Sequence, residues 1–217
     1  MKDIELIFGP RIPKELLIRE KKRFLMPTII IGAAALMLFL SIFMPYWKLT
    51  LMAPQYPGGL KMEAFVNGVS GDVDEIDELN HYIGMRSLKE AAELERSLSI
   101  IMIVALILLI AASIYAHSPF ALFLTIPAIL YPLVFLGDLY FWMQNFGMHL
   151  NPHAPLSSAV KPFVPPIIGE GFVGQFKTIA SWEPGLIISF IASALIIIGL
   201  YFHRKAYKPL METGFKG

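Results

Sequence analysis

The run LSIIMIVALILLIAASIYA at 98–116 decides the class of this protein, because it carries no charge and is about as long as a bilayer is thick. A helix rising about 1.5 Å per residue needs about 20 apolar residues to cross a hydrocarbon core of about 30 Å. Only His117, Ser118 and Pro119 separate it from a second run, FALFLTIPAILYPLVFLGDLYFW at 120–142. So short a connection makes an antiparallel helical hairpin. Outward from this hairpin, 25–47 and 185–202 are runs of the same kind, so four transmembrane helices are expected.

Composition agrees. Of the 217 residues 56% are hydrophobic and 16% charged, with a mean hydropathy of +0.61, outside the range of soluble domains. The expected class is an all-α integral membrane protein partnered by the lipid bilayer. A net charge of +1 selects no partner globally, and there is no basic stripe for nucleic acid. Cysteine is absent, which excludes disulfides, thiolate zinc sites, iron–sulfur ligation and c-type haem attachment. No phosphate-binding glycine motif, HExxH or recognised nucleophile context is present, so an enzyme is not expected.

Charge distribution sets the orientation. Lys2, Arg11, Lys14, Arg19, Lys21, Lys22 and Arg23 crowd the segment at 1–24, and His203, Arg204, Lys205 and Lys208 follow the fourth helix in the tail at 203–217. The positive-inside rule places both termini in the cytoplasm and makes this an inner-membrane, multi-pass chain. The basic segment is too long for an ordinary cleavable signal and no small-residue cleavage site comes after it, so the first helix is expected to stay attached. Tyr46, Trp47, Tyr140, Trp142 and Trp182 fall at the opposite, outer interface.

The two long loops, 48–97 and 143–184, then lie on the periplasmic side. The first alternates apolar residues around the turn-rich segment at 53–59, which predicts a small β-hairpin. Val73, Ile76, Leu79 and Ile83 recur at helical spacing among acidic residues, which predicts a short amphipathic helix. Ser87 and Glu90 form a capping box from which the second transmembrane helix is expected to start. The second loop holds Pro152, Pro155, Pro162, Pro165 and Pro166 with Gly169, Gly171 and Gly174, and is expected to be irregular yet packed, given its aromatic content.

Two sets of residues could carry chemistry. Asp138 is the one clear ionisable residue within an apolar run. It reads either as a structural ion pair with Arg96 or as a proton or ligand site. His81 and Met85 stand four apart, which on a helix aligns imidazole and thioether, and His149 and His153 in the second loop would complete a Cu(I) site. The plainer alternative is that Met85 packs and the histidines are ordinary loop residues.

The strings APQYPGGL at 53–60, LNHYIGM at 79–85 and KPFVPPIIG at 161–169 resemble a family of small polytopic membrane proteins associated with bacterial nitrous oxide reductase gene clusters, near the copper-maturation components. The resemblance covers most of the chain from first to fourth helix and assigns no catalytic residue. It implies an accessory role in respiration: docking, maturing or supplying a periplasmic redox or copper enzyme. A structural subunit of a larger respiratory complex is the alternative, and a small transporter a third. The orientation has a direct test. A reporter that works only in the periplasm should be active when placed within 68–71 or 169–174 and silent after Gly217; activity at the C-terminus would invert the assignment.

Overall fold

The computed structural model describes residues 14–173 and 176–212; the basic residues Lys2 and Arg11, Gly174 and the end of the tail lie outside the described residues. Among the described residues four helices are long and apolar enough to cross a membrane, over Lys21–Ser41, Glu93–Ser113, Phe120–Met148 and Pro184–Pro209, and the chain is a multi-pass membrane protein. In chain order the helices are α1 (Lys14–Arg19), α2 (Lys21–Ser41), α3 (Val73–Ile83), α4 (Glu93–Ser113), α5 (Phe120–Met148) and α6 (Pro184–Glu212).

The all-α expectation is corrected by a five-stranded antiparallel sheet. Its strands are β1 (Trp47–Ala53), β2 (Tyr56–Phe65), β3 (Gly68–Gly71), β4 (Gly169–Val173) and β5 (Phe176–Trp182), in the order β3-β2-β1-β5-β4. The expected hairpin is therefore one part of a sheet that both loops build together. The proline cluster at 152–166 is irregular as expected, but the segment beyond it is not. In β5, Thr178 and Ala180 turn inward while Lys177 and Ile179 turn out, a period of two that marks a half-buried strand.

Two compact units emerge, and the long helices contribute to both. The first comprises residues to Leu40, Ile101–Pro132 and those from Ile188 onward. It is a helical unit filled by Ile31, Ala34, Ile103, Ile110, Ala192 and Ile196, with the Ser193 hydroxyl donating to the Ala128 carbonyl at 3.4 Å. Small residues and hydroxyls at such contacts let membrane helices approach where no hydrophobic drive exists between them.

The second unit, Ser41–Ile100 with Leu133–Ile187, carries the sheet. Trp47, Leu49, Leu51 and Ala53 alternate inward along β1 and share a core with Leu60, Met62, Ile76, Met143 and Phe146. Helix α2 stops at Ser41, before the expected boundary at 47, because Pro45 disfavours helix in the residue ahead of it and strand β1 begins at Trp47. Register pairs Trp47 with Ala64 on one side and with Trp182 on the other. The Trp47 indole, fully buried, donates to the Ile167 carbonyl at 2.8 Å.

The capping box works differently from the expectation. Ser87 caps only a 3-10 turn, Leu88–Glu90, and is held by the Asp77 carboxylate, which also accepts from the Leu88 amide at 2.7 Å. The chain then breaks at Ala92, in the left-handed region at φ 51°, and α4 starts at Glu93.

Trp47 joins both loops to one core, so its truncation is diagnostic. Trp47→Ala should destabilise the sheet unit by about 3–5 kcal/mol through lost burial. Trp47→Phe should cost roughly 1–3 kcal/mol by leaving the Ile167 carbonyl unpaired. Denaturant titration in mild detergent, monitored by near-UV circular dichroism, measures both; a Phe variant as stable as the parent would show that the indole bond contributes nothing.

Candidate functional site

Helix α3 is built by its sequence to end sharply. Val73, Ile76, Asn80 and Ile83 form its buried face. Gly84 then adopts φ 83°, with its amide bonded to the His81 carbonyl at 3.2 Å and the Met85 amide to the Asn80 carbonyl at 2.9 Å. This paired arrangement closes a helix and needs a residue that tolerates the left-handed region. A side chain at Gly84 would also meet the Asn151 carbonyl oxygen at 2.6 Å. The second loop is thus laid over the end of α3.

Backbone bonds hold it there. The Asn151 amide donates to Gly84 at 2.7 Å, the Leu156 amide to Tyr82 at 2.9 Å and the Phe163 amide to Gly147 at 3.0 Å. A Cβ on Gly147 would collide with the Phe163 carbonyl oxygen, so this crossing too requires glycine. Between the strap at 156–163, the end of α3 and the β4–β5 hairpin opens a cleft of about 470 Å³. Leu79, Tyr82, Val160, Phe163, Phe172 and Phe176 form its walls, with Lys161 among them.

The expected copper residues fall around this region without converging. Met85 lies beyond the end of α3, so the four-residue helical relation to His81 does not exist. Its thioether is 6% exposed within the core, whereas His81 is exposed. His149 is exposed and donates through Nδ1 to the Asn145 carbonyl at 2.9 Å; His153 is also exposed. Among the described residues no group of three His, Asp or Glu side chains could hold a metal ion. As placed, His81, His149 and His153 form no shared metal site of three such side chains.

The Asp138–Arg96 pair is likewise replaced. Arg96 donates through Nη2 to the Lys89 carbonyl, and no ion pair between the two forms among the described residues. Asp138 is half-buried, with Glu95 as a charged neighbour and Trp142 one helical turn on.

A second cluster, in the helical unit, is hidden from sequence reading because its members are far apart along the chain. The His117 and Tyr207 rings stack 4.0 Å apart at 7°, His203 lies 4.5 Å from Tyr207, and Phe24 closes the group at 5.2 Å. His117 Nδ1 and His203 Nε2 are buried without hydrogen-bond partners. The one legible signal is the four-residue spacing of His203 and Tyr207, which puts them on one helical face.

No protein-family model and no curated protein matches this chain.

His117 gives a pH dependence. Burial first, and the neighbouring His203 second, push its imidazole down to about 4 from 6.5. The folded state therefore refuses a proton that the unfolded chain accepts, so the stability it contributes is present above about pH 6.5 and lost as pH falls towards 4. The thermal midpoint of the parent should fall more steeply over that window than that of His117→Gln; parallel curves would contradict the burial argument.

Proposed function

We propose that this chain is a non-enzymatic accessory protein of the inner membrane, whose sheet unit docks a periplasmic redox enzyme. The observation that carries the reading is the solvent face of the sheet. Met52 and Ile179, on neighbouring strands, are each 39% exposed there. They are flanked by the ion pairs Lys48–Glu63 at 3.2 Å and Lys177–Glu170 at 2.8 Å. A small apolar centre within a charged rim is the anatomy of a transient protein interface. Solvent-accessible pairs of this kind, the Lys177–Glu170 pair exposed and the Lys48–Glu63 pair partly buried, add little stability, so their value lies in orienting a partner.

The class of partner comes from the resemblance to membrane proteins of nitrous oxide reductase clusters, and the side of the membrane from the distribution of lysine and arginine. In this reading any copper belongs to the partner, since His81 and Met85 face different environments. Accessory work of this kind needs a rigid platform rather than catalytic groups.

Purification of the whole chain in mild detergent, after cross-linking in cells, tests the reading. A soluble redox or copper enzyme should be recovered, and Ile179→Asp combined with Met52→Asp should lower the yield at least tenfold while the sheet unit stays folded. Recovery of an integral multi-subunit complex that is indifferent to those changes would overturn it in favour of a structural subunit.

A further inference from the structure

The cleft beneath the strap has the composition of a ligand site that docking on the sheet does not use. Its volume of about 470 Å³ lies in the range of small-molecule pockets, about 300–1,000 Å³. The walls are aliphatic and aromatic: Leu79, Ile83 and Tyr82 from α3, Val160 and Phe163 from the strap, Phe172 and Phe176 from the β4–β5 hairpin. Two of the strap's polar groups bond within the protein, the Leu156 amide to the Tyr82 carbonyl at 2.9 Å and the Ser157 hydroxyl to the Pro152 carbonyl at 2.8 Å. One charge stands among these walls. Lys161 is exposed and forms no ion pair among the described residues, whereas Lys48, Lys89 and Lys177 are all paired.

We propose that this cleft binds a single-chain anionic amphiphile, its acyl chain between the aromatic walls and its acidic head on Lys161. Three features favour that ligand over a polar metabolite or a metal. An apolar wall with one cation matches a molecule with one anionic end and an otherwise apolar body. The cleft is preformed, because backbone bonds at Tyr82 and Gly147 hold the strap before any ligand arrives, which reduces the ordering penalty of binding. The bilayer in which this protein resides supplies such amphiphiles at high local concentration. A free fatty acid and a lysophospholipid share this chemistry, carboxylate in one and phosphate in the other.

The inference stands apart from the docking reading, since it uses neither Met52 nor Ile179. The test uses the whole chain in nanodiscs with palmitic acid carrying a diazirine at its terminal carbon, and reads the labelled peptides by mass spectrometry. Labelling should concentrate on 79–83 and 156–163. It should fall at least fivefold in Lys161→Glu, which reverses the charge, and in Ala159→Trp, which fills the cleft. Unlabelled palmitate or lysophosphatidylglycerol should compete, the better of the two identifying the head group, and shortening the competing acid by one methylene should weaken it about fourfold, the equivalent of about 0.8 kcal/mol. Label confined to the four long helices, indifference to both substitutions, competition by neither anionic lipid, or equal competition by hexadecanol would overturn the proposal. Far-UV circular dichroism of each variant separates loss of binding from loss of fold.

Discussion

Strand β1 is the constraint on which the sheet unit depends. Its inward side chains are buried along its length, so its amides and carbonyls have to be matched by neighbouring strands on both edges. Residues 56–65 supply one edge and residues 176–182 the other, more than a hundred positions away. The same logic governs the turn before it: the Tyr46 amide donates to Ala64 at 2.8 Å, its carbonyl accepts from Glu183 at 3.0 Å, and the Pro45 carbonyl accepts from Gly185 at 2.8 Å. The exit of one long helix and the entry of another are thereby stitched into the sheet, and two loops become one folded body.

That body explains how the second loop is ordered despite its prolines. Proline removes donors and blocks helix, but it leaves neighbouring amides free to bond across to other segments. Asn151, Leu156 and Phe163 do so, onto Gly84, Tyr82 and Gly147. Two of the three crossings are close because glycine, at Gly84 and Gly147, removes the side chain that would obstruct them. The cleft is what remains between a strap held at fixed points and a helix that ends abruptly beneath it.

The candidate site residues show how the folded structure reassigns roles that spacing alone would give them. Spacing sets Met85 on one helical face with His81, but the left-handed turn at Gly84 sends it into the core and leaves His81 at the surface. Arg96, placed by sequence within reach of Asp138, is instead engaged with a carbonyl of its own segment. His117 and His203, which in sequence look like interfacial residues at helix ends, join Tyr207 in an aromatic cluster in which His203 is only 4% exposed.

By itself the sequence determined the membrane class, the number of long helices and the existence of α3, because hydrophobic length and helical periodicity are local properties that each segment carries whole. The hairpin around 53–59 was legible for the same reason. The pairing of β1 with β5, the strap, the cleft and the histidine cluster were decided only in three dimensions. Residue 47 carries no mark that it pairs with residue 182, and β5 is masked by the proline and glycine that precede it. Hydrogen-bond partners between distant segments are selected by what the folded core leaves unpaired, and a chain read one window at a time contains no record of that selection.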